Sequence, residues 1–232
     1  MQPCFPYPTL CAMGCSMGNS TFTILLGGNL TVTDRVKSAI AGSRVIAADS
    51  GMRHAVELGL TPDLWVGDFD SSDEELIARF PQVERKTYPP AKNETDGEIA
   101  TAEAIERGAQ KLILIGALGG ERSDHALQHL LLAMGLAERG IDVLLASGDE
   151  EAVPFLPGTK TIDLPKGSLF SVLGFSALAG LDILGARYPL KNFSLPFGSS
   201  RTVSNVAEGP VEFYLREGKA MILARPHDFS GA

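Results

Sequence analysis

From residue 22 to residue 146 short apolar runs alternate with stretches of helical period, and this alternation constrains the fold more than any other feature of the chain. Phe22–Gly27 (FTILLG), Arg44–Ala48 (RVIAA), Leu64–Val66, Lys111–Ile115 (KLILI) and Asp142–Ala146 (DVLLA) read as buried strands. Between them the spacing predicts helices over Thr33–Ala41, His54–Leu58, Asp73–Phe80, Thr95–Arg107 and His125–Arg139. Ser72 and Thr95 stand where caps are needed, and Gly59, Gly108 and Gly140 where helices stop. Strands alternating with helices predict an α/β fold, a parallel sheet with helices on both faces.

Near Asp149 the texture changes. Gly158–Leu164, Ser168–Phe175, Leu178–Leu184, Pro210–Leu215 and Lys219–Ala224 are short β-like runs broken by Pro and Gly, with no helical pattern among them. They predict a C-terminal all-β sandwich or barrel. The expected division is a tail at 1–20, an α/β domain at 21–149, a β domain at 150–226 and a tail at 227–232. The first tail carries Pro3, Pro6, Pro8 and all three cysteines, Cys4, Cys11 and Cys15, without the basic start or continuous apolar stretch of a signal peptide. It is expected to be disordered, with Met13 or Met17 as alternative starts. No cysteine is left for a disulfide framework, so a cytoplasmic location is expected. No apolar run approaches the ~20 residues of a membrane helix. A net charge of −8 without a basic stripe argues against nucleic acid as a partner.

Ligands of open parallel sheets bind beyond the carboxyl ends of the strands. There the chain places Asp49, then Asp68 and Asp70, then Gly116, Gly119, Gly120, Arg122 and Asp124, with Asp96 opening the helix after Thr95. Two carboxylates ~4 Å apart repel by about 4 kcal/mol at an effective dielectric of ~20, so such a rim must be spread out, protonated or bridged by a cation. Aspartates are the hard oxygen ligands Mg²⁺ prefers, often shared with substrate phosphates. Gly-rich turns let backbone N–H groups approach phosphate, and Arg122 offers a planar fork to it. Plainer readings hold elsewhere. Asp63 is a turn residue, Asp73 and Glu74 are first-turn acids, His54 and His129 are helix surface or packing residues, and Trp65 is core. Asp49 and Asp96, taken singly, read equally well as turn or cap residues. Among the four histidines only His125 stands by the rim; His227 lies in the tail.

Ala48-Asp49-Ser50-Gly51, Pro62-Asp63-Leu64 and Gly67-Asp68-Phe69-Asp70-Ser71 resemble the signature of thiamine pyrophosphokinases. Lys92–Asp96 resembles that family's Thr-Asp segment, Gly119–His125 its Gly-Gly-Arg-x-Asp-His loop, and Val203-Ser204-Asn205 its C-terminal Ser-Asn motif. The resemblance spans Phe22 to Leu223. It implies a nucleotide-binding α/β domain followed by a β-sandwich, ATP and thiamine as substrates, Mg²⁺ as cofactor, and a homodimer whose active site lies between subunits. By match, Asp68, Asp70 and Asp96 hold the metal, and Asp49 and Asp124 complete the acidic site. Gly119, Gly120, Arg122, Ser71 and His125 bind ATP; Ser204 and Asn205 hold thiamine. The chain departs from the family at Ser50, Glu121 and His129, and its C-terminal part has no Trp to stack on thiamine. Two rivals remain: a pterin-alcohol diphosphokinase on the same scaffold, and a non-catalytic Mg-nucleotide regulator. Ser204-Asn205 and the β domain favour thiamine over the first. The number of carboxylates speaks against the second.

Overall fold

A computed structural model describes residues 20–69, 74–89, 93–120 and 122–231. The predicted tail, apart from Ser20, and the Ser72 cap lie outside the described residues. The fold is mixed α/β. Its first half runs β1 (Thr21–Leu25), α1 (Asp34–Ile40), β2 (Arg44–Ala48), a 3-10 turn (Asp49–Gly51), α2 (Met52–Leu58), β3 (Leu64–Gly67), α3 (Glu74–Arg79), β4 (Glu84–Thr87), α4 (Asp96–Glu106), β5 (Lys111–Ile115), α5 (Ser123–Glu138) and β6 (Asp142–Ala146). Seven strands follow: β7 (Glu151–Phe155), β8 (Gly158–Ile162), β9 (Leu169–Gly174), β10 (Leu178–Ala186), β11 (Leu190–Leu195), β12 (Asn205–Leu215) and β13 (Ala220–Arg225).

The first six strands pair in parallel in the order β6-β5-β1-β2-β3-β4. Alternate strand residues feed two cores, which is why the runs are apolar throughout. Leu112 and Leu114 face one core with Ile99, Ala104 and Met134 of α4 and α5. Ile113 and Ile115 face the other, with Val36, Met52 and Ala55 of α1 and α2. Caps set the helix starts. Thr33 Oγ1 accepts from Val36 N–H at 3.2 Å, and Thr95 and Glu98 form a reciprocal capping box.

Hydrogen bonding continues across residue 150. β7 pairs antiparallel with β6 through Leu145↔Ala152 and Ala146↔Glu151, and β13 and β9 extend the same ladder. β12 pairs with β9 by its first two residues, then with β8 and β10. These strands enclose a core of their own around Phe155, Phe170, Ile183, Phe213 and Ile222.

Three strands carry no signal of the kind used above. β4 is Glu-Arg-Lys-Thr, all four exposed, an edge whose charges discourage further pairing. It is tied down by Glu103 of α4, whose carboxylate takes hydrogen bonds from Lys86 and from Tyr88 Oη at 2.8 Å. β7 contains Pro154, and β11 is polar and irregular, with Asn192 at φ 47° and register shifts against β10.

Candidate active site

The carboxyl ends of β1, β2, β3 and β5 and the first turns of α4 and α5 surround a cleft of about 640 Å³. Its floor is backbone. A Cβ on Gly28 would stand 2.2 Å from the Gly116 carbonyl oxygen, and one on Gly51 would stand 2.1 Å from that of Leu25. Only glycine lets these loops press together so closely. The loop after β1 is gripped from α2. Arg53 Nη2 donates to the Gly28 carbonyl at 2.9 Å and also to that of Gly27, and His54 Nε2–H donates to Gly28 at 2.8 Å.

Asp49, Asp68, Glu94 and Asp96 bring carboxylates to the cleft from three separate loops, and Arg53, Arg122, His125 and His129 also line it. Arg122 makes a two-point bond to Asp124, Nε to Oδ1 at 2.9 Å and Nη2 to Oδ2 at 2.7 Å. That guanidinium holds the Asp124 carboxyl well below the usual carboxylate range. Asp124 thus stands as a charge paired with Arg122 at the mouth of the cleft. Burial pushes the His129 imidazole down, and its Nδ1–H donates to the Ala117 carbonyl at 2.9 Å. The neutral ring keeps Nε2 as an acceptor beside the α4 N-terminus.

No three His, Cys, Asp or Glu side chains among the described residues form a metal-binding group by themselves. The charged oxygen donors that face the cleft are carboxylates, His125 and His129 add ring nitrogens, no sulfur lies among the described lining residues, and the cleft leaves room beside the carboxylates. That set fits Mg²⁺, which takes one or two carboxylates and fills its shell with phosphate oxygens and water.

Two family models match the chain. One, thiamin pyrophosphokinase, catalytic domain, matches residues 37–145, and the other, thiamin pyrophosphokinase, vitamin B1 binding domain, matches residues 159–219. The chain belongs to the thiamin pyrophosphokinase family. It is an enzyme of that class. A thiamine pyrophosphokinase from Bacillus subtilis (strain 168) is 28% identical over 164 residues, covering 69% of this chain and 76% of the relative. The crystal structure of a Geobacillus thermodenitrificans thiamin pyrophosphokinase matches with a TM-score of 0.76 and 26% identity, over 91% of this chain and all of that one. The Bacillus subtilis crystal structure (TM-score 0.79, 24% identity, 90% of this chain and 100% of that chain) and that from Candida albicans (0.68, 15%, 89% and 89%) share the fold.

Within this family member, Asp49, Asp68, Asp96, Gly119, Gly120, Arg122 and His125 line one cleft, and Asp124 stands beside it on Arg122. Asp70 and Ser71 lie outside the described residues. Ser204 and Asn205 are in the C-terminal half, and among the described residues nothing from 150–231 lines the cleft. Ser204 holds φ 58°, and its N–H donates to Ser171 Oγ at 3.0 Å. Asn205 is 5% exposed, and its side chain is engaged within its own chain. Its Oδ1 accepts from Tyr188 N–H and Val206 N–H, and its Nδ2 donates to the Tyr188 carbonyl at 2.9 Å. The Tyr188 ring beside it is exposed.

Arg53, Glu94, His129 and Tyr188 escaped the reading of strand ends. Arg53 and His54 sit mid-helix and bond to backbone carbonyls, which no side-chain pattern announces. His54 is nearly fully buried, and its Nδ1 lies 2.9 Å from Glu57 Oε2. Trp65 is core, as its place in a strand predicts.

Proposed function

We propose that the chain transfers the terminal diphosphate of ATP to the hydroxyl of thiamine, giving thiamine diphosphate and AMP. The observation that carries this reading is the convergence of Asp49, Asp68 and Asp96, from three loops, on one glycine-floored cleft flanked by two arginines. The match of residues 159–219 to a vitamin B1 binding domain supports thiamine as the acceptor.

In this reading the thiamine oxygen forms a bond to the β-phosphorus of ATP. The bond from that phosphorus to the oxygen bridging to the α-phosphate breaks, and AMP leaves. Such a transfer needs chiefly positioning and charge stabilisation. Mg²⁺ held by Asp68, Asp70 and Asp96 would supply neutralising charge to the phosphates. Arg122, already held as a planar fork by Asp124, is set to take phosphate oxygens, and Gly119 and Gly120 give the phosphates close access to backbone. Ser71 and His125 border the same nucleotide. One of Asp49, Asp96 and Asp124 orients the thiamine hydroxyl or accepts its proton.

In this reading the labour divides at residue 150. Residues 21–149 bind nucleotide, and 150–226 form a β-sandwich that holds thiamine through Ser204, with Asn205 fixing Tyr188 beside it. In this reading the active enzyme is a homodimer, as the family resemblance implies, and a second copy supplies the thiamine half to the cleft lined from 26–129. The reaction is placed in the cytoplasm, where ATP is available; no described helix is long and apolar enough to cross a membrane. The test is AMP release from ATP with Mg²⁺ and thiamine, against EDTA and no-thiamine controls. Thiamine- and Mg²⁺-dependent AMP is expected. Its absence from folded, ATP-binding protein overturns the thiamine assignment, and a pterin alcohol would be the next acceptor assayed.

A further inference from the structure

Two residues of the acidic rim hold backbones in the left-handed region, Asp49 at φ 43° and Phe69, which directly follows Asp68, at φ 60°. Aspartate tolerates this conformation, but for a bulky ring it is an outlier. Such conformations persist only where the surroundings over-determine them. One side chain touches both. Trp65 of β3 is 1% exposed, and its indole Nε1–H donates to the Asp49 carbonyl at 3.0 Å. Its ring meets that of Phe69 edge-on, with centroids 5.0 Å apart at 74°. The contact spans two loops because β2 and β3 pair with Ala47 opposite Trp65. Gly67 lies against the same loop; a Cβ there would stand 3.3 Å from Asp49 Cα.

A residue needed only for filling could be another apolar side chain such as Phe or Leu, each smaller than the indole. Neither carries an N–H. Buried indole N–H groups find a partner, and here the partner is the backbone of a rim aspartate. We propose that Trp65 is a positioning residue for the nucleotide site. It locks the loop after β2 to the loop after β3, so that Asp49 and Asp68 meet Mg·ATP in one fixed arrangement. The inference rests on reading the cleft as the metal-nucleotide site, and it does not depend on which alcohol accepts the diphosphate.

Trp65 is the only tryptophan in the chain, so its emission reports on these two loops directly. Titration of the wild-type protein with Mg·ATP, without thiamine, is expected to change that emission saturably, while thiamine alone leaves it unchanged. Trp65→Phe keeps the ring contact and loses the N–H. It is expected to raise half-saturating Mg·ATP and lower kcat each by about tenfold, as a small misplacement of reacting groups does, with thiamine KM near wild type and a melting temperature lowered by the lost buried volume and hydrogen bond. Emission that ignores Mg·ATP overturns the proposal. So does a Trp65→Phe enzyme whose ATP and thiamine constants are both unchanged or rise in equal proportion. Should that variant fail to fold, the wild-type emission decides alone. An emission response to Mg·ATP in protein that makes no AMP from thiamine supports the positioning role and counts only against the acceptor.

Discussion

Asp68 and Asn205 occupy comparable places in the two halves of the molecule. Each stands at a strand end next to a residue with left-handed backbone, Phe69 at φ 60° and Ser204 at φ 58°. Asp68 turns into an open cleft. Asn205 is buried and holds the backbone of Tyr188 from both its N–H and its carbonyl. The difference follows from strand direction. In the parallel half every strand ends at the same rim, so polar residues from distant segments gather around one cleft. In the antiparallel half strand ends alternate, and a neighbouring loop of the same chain absorbs the polar group.

Substitutions should separate the two halves. The largest effect is expected from Asp68→Asn, which should lower kcat by about 10³-fold while leaving the melting temperature near wild type, as removal of a group acting on transition-state charge does. Asp70→Asn should behave alike. Near-normal AMP release by either variant would sink the metal role. Gly28→Ala comes next, since its methyl would meet the Gly116 carbonyl oxygen, which is backbone and cannot swing aside. A cost of about 1–3 kcal/mol in a denaturant melt, with weakened ATP binding, is the expected result. A variant with wild-type stability would mean that the two loops part easily.

Asn205→Ala tests the other half. Leaving Tyr188 N–H and carbonyl without their partner should cost about 1–3 kcal/mol and raise the thiamine KM, with ATP KM unchanged. If ATP binding weakened equally, the division of labour between the halves would be wrong. The smallest effect is expected at Glu103, far from either subsite. Burial alone would push its carboxyl up, but hydrogen bonds from Lys86 and Tyr88 outweigh it and hold it low. A depressed carboxyl stabilises the fold above the ordinary carboxylate range and loses that contribution as pH falls through the lowered value. With Lys86 half exposed, Glu103→Gln should cost only about 1 kcal/mol at neutral pH. The gap to wild type in melting temperature should narrow as the pH is lowered; a constant gap would remove the ionic explanation.

Much of the first half was legible because apolar period and strand order need no knowledge of distance. KLILI and DVLLA are strands to the residue, and Thr95 caps α4. β4 was invisible, since Glu-Arg-Lys-Thr becomes a strand only by pairing with Leu64–Gly67 and by Glu103 holding Lys86 and Tyr88. β7 and β11 were hidden in the same way, because Pro154 and a polar run pair only where a neighbouring strand presents its edge.

By itself, then, the amino-acid order determined the alternation of strands and helices in the first half, the change of texture near residue 150, and which aspartates stand at strand ends. These are local properties, written in period and position along the chain. The tertiary structure alone decided the partnerships: Arg53 on the Gly28 carbonyl, Trp65 on Asp49, Asn205 on Tyr188. Hydrogen bonds and ring contacts depend on separations of a few ångströms between residues 16 to 25 positions apart. Those separations exist only once the sheet has been assembled.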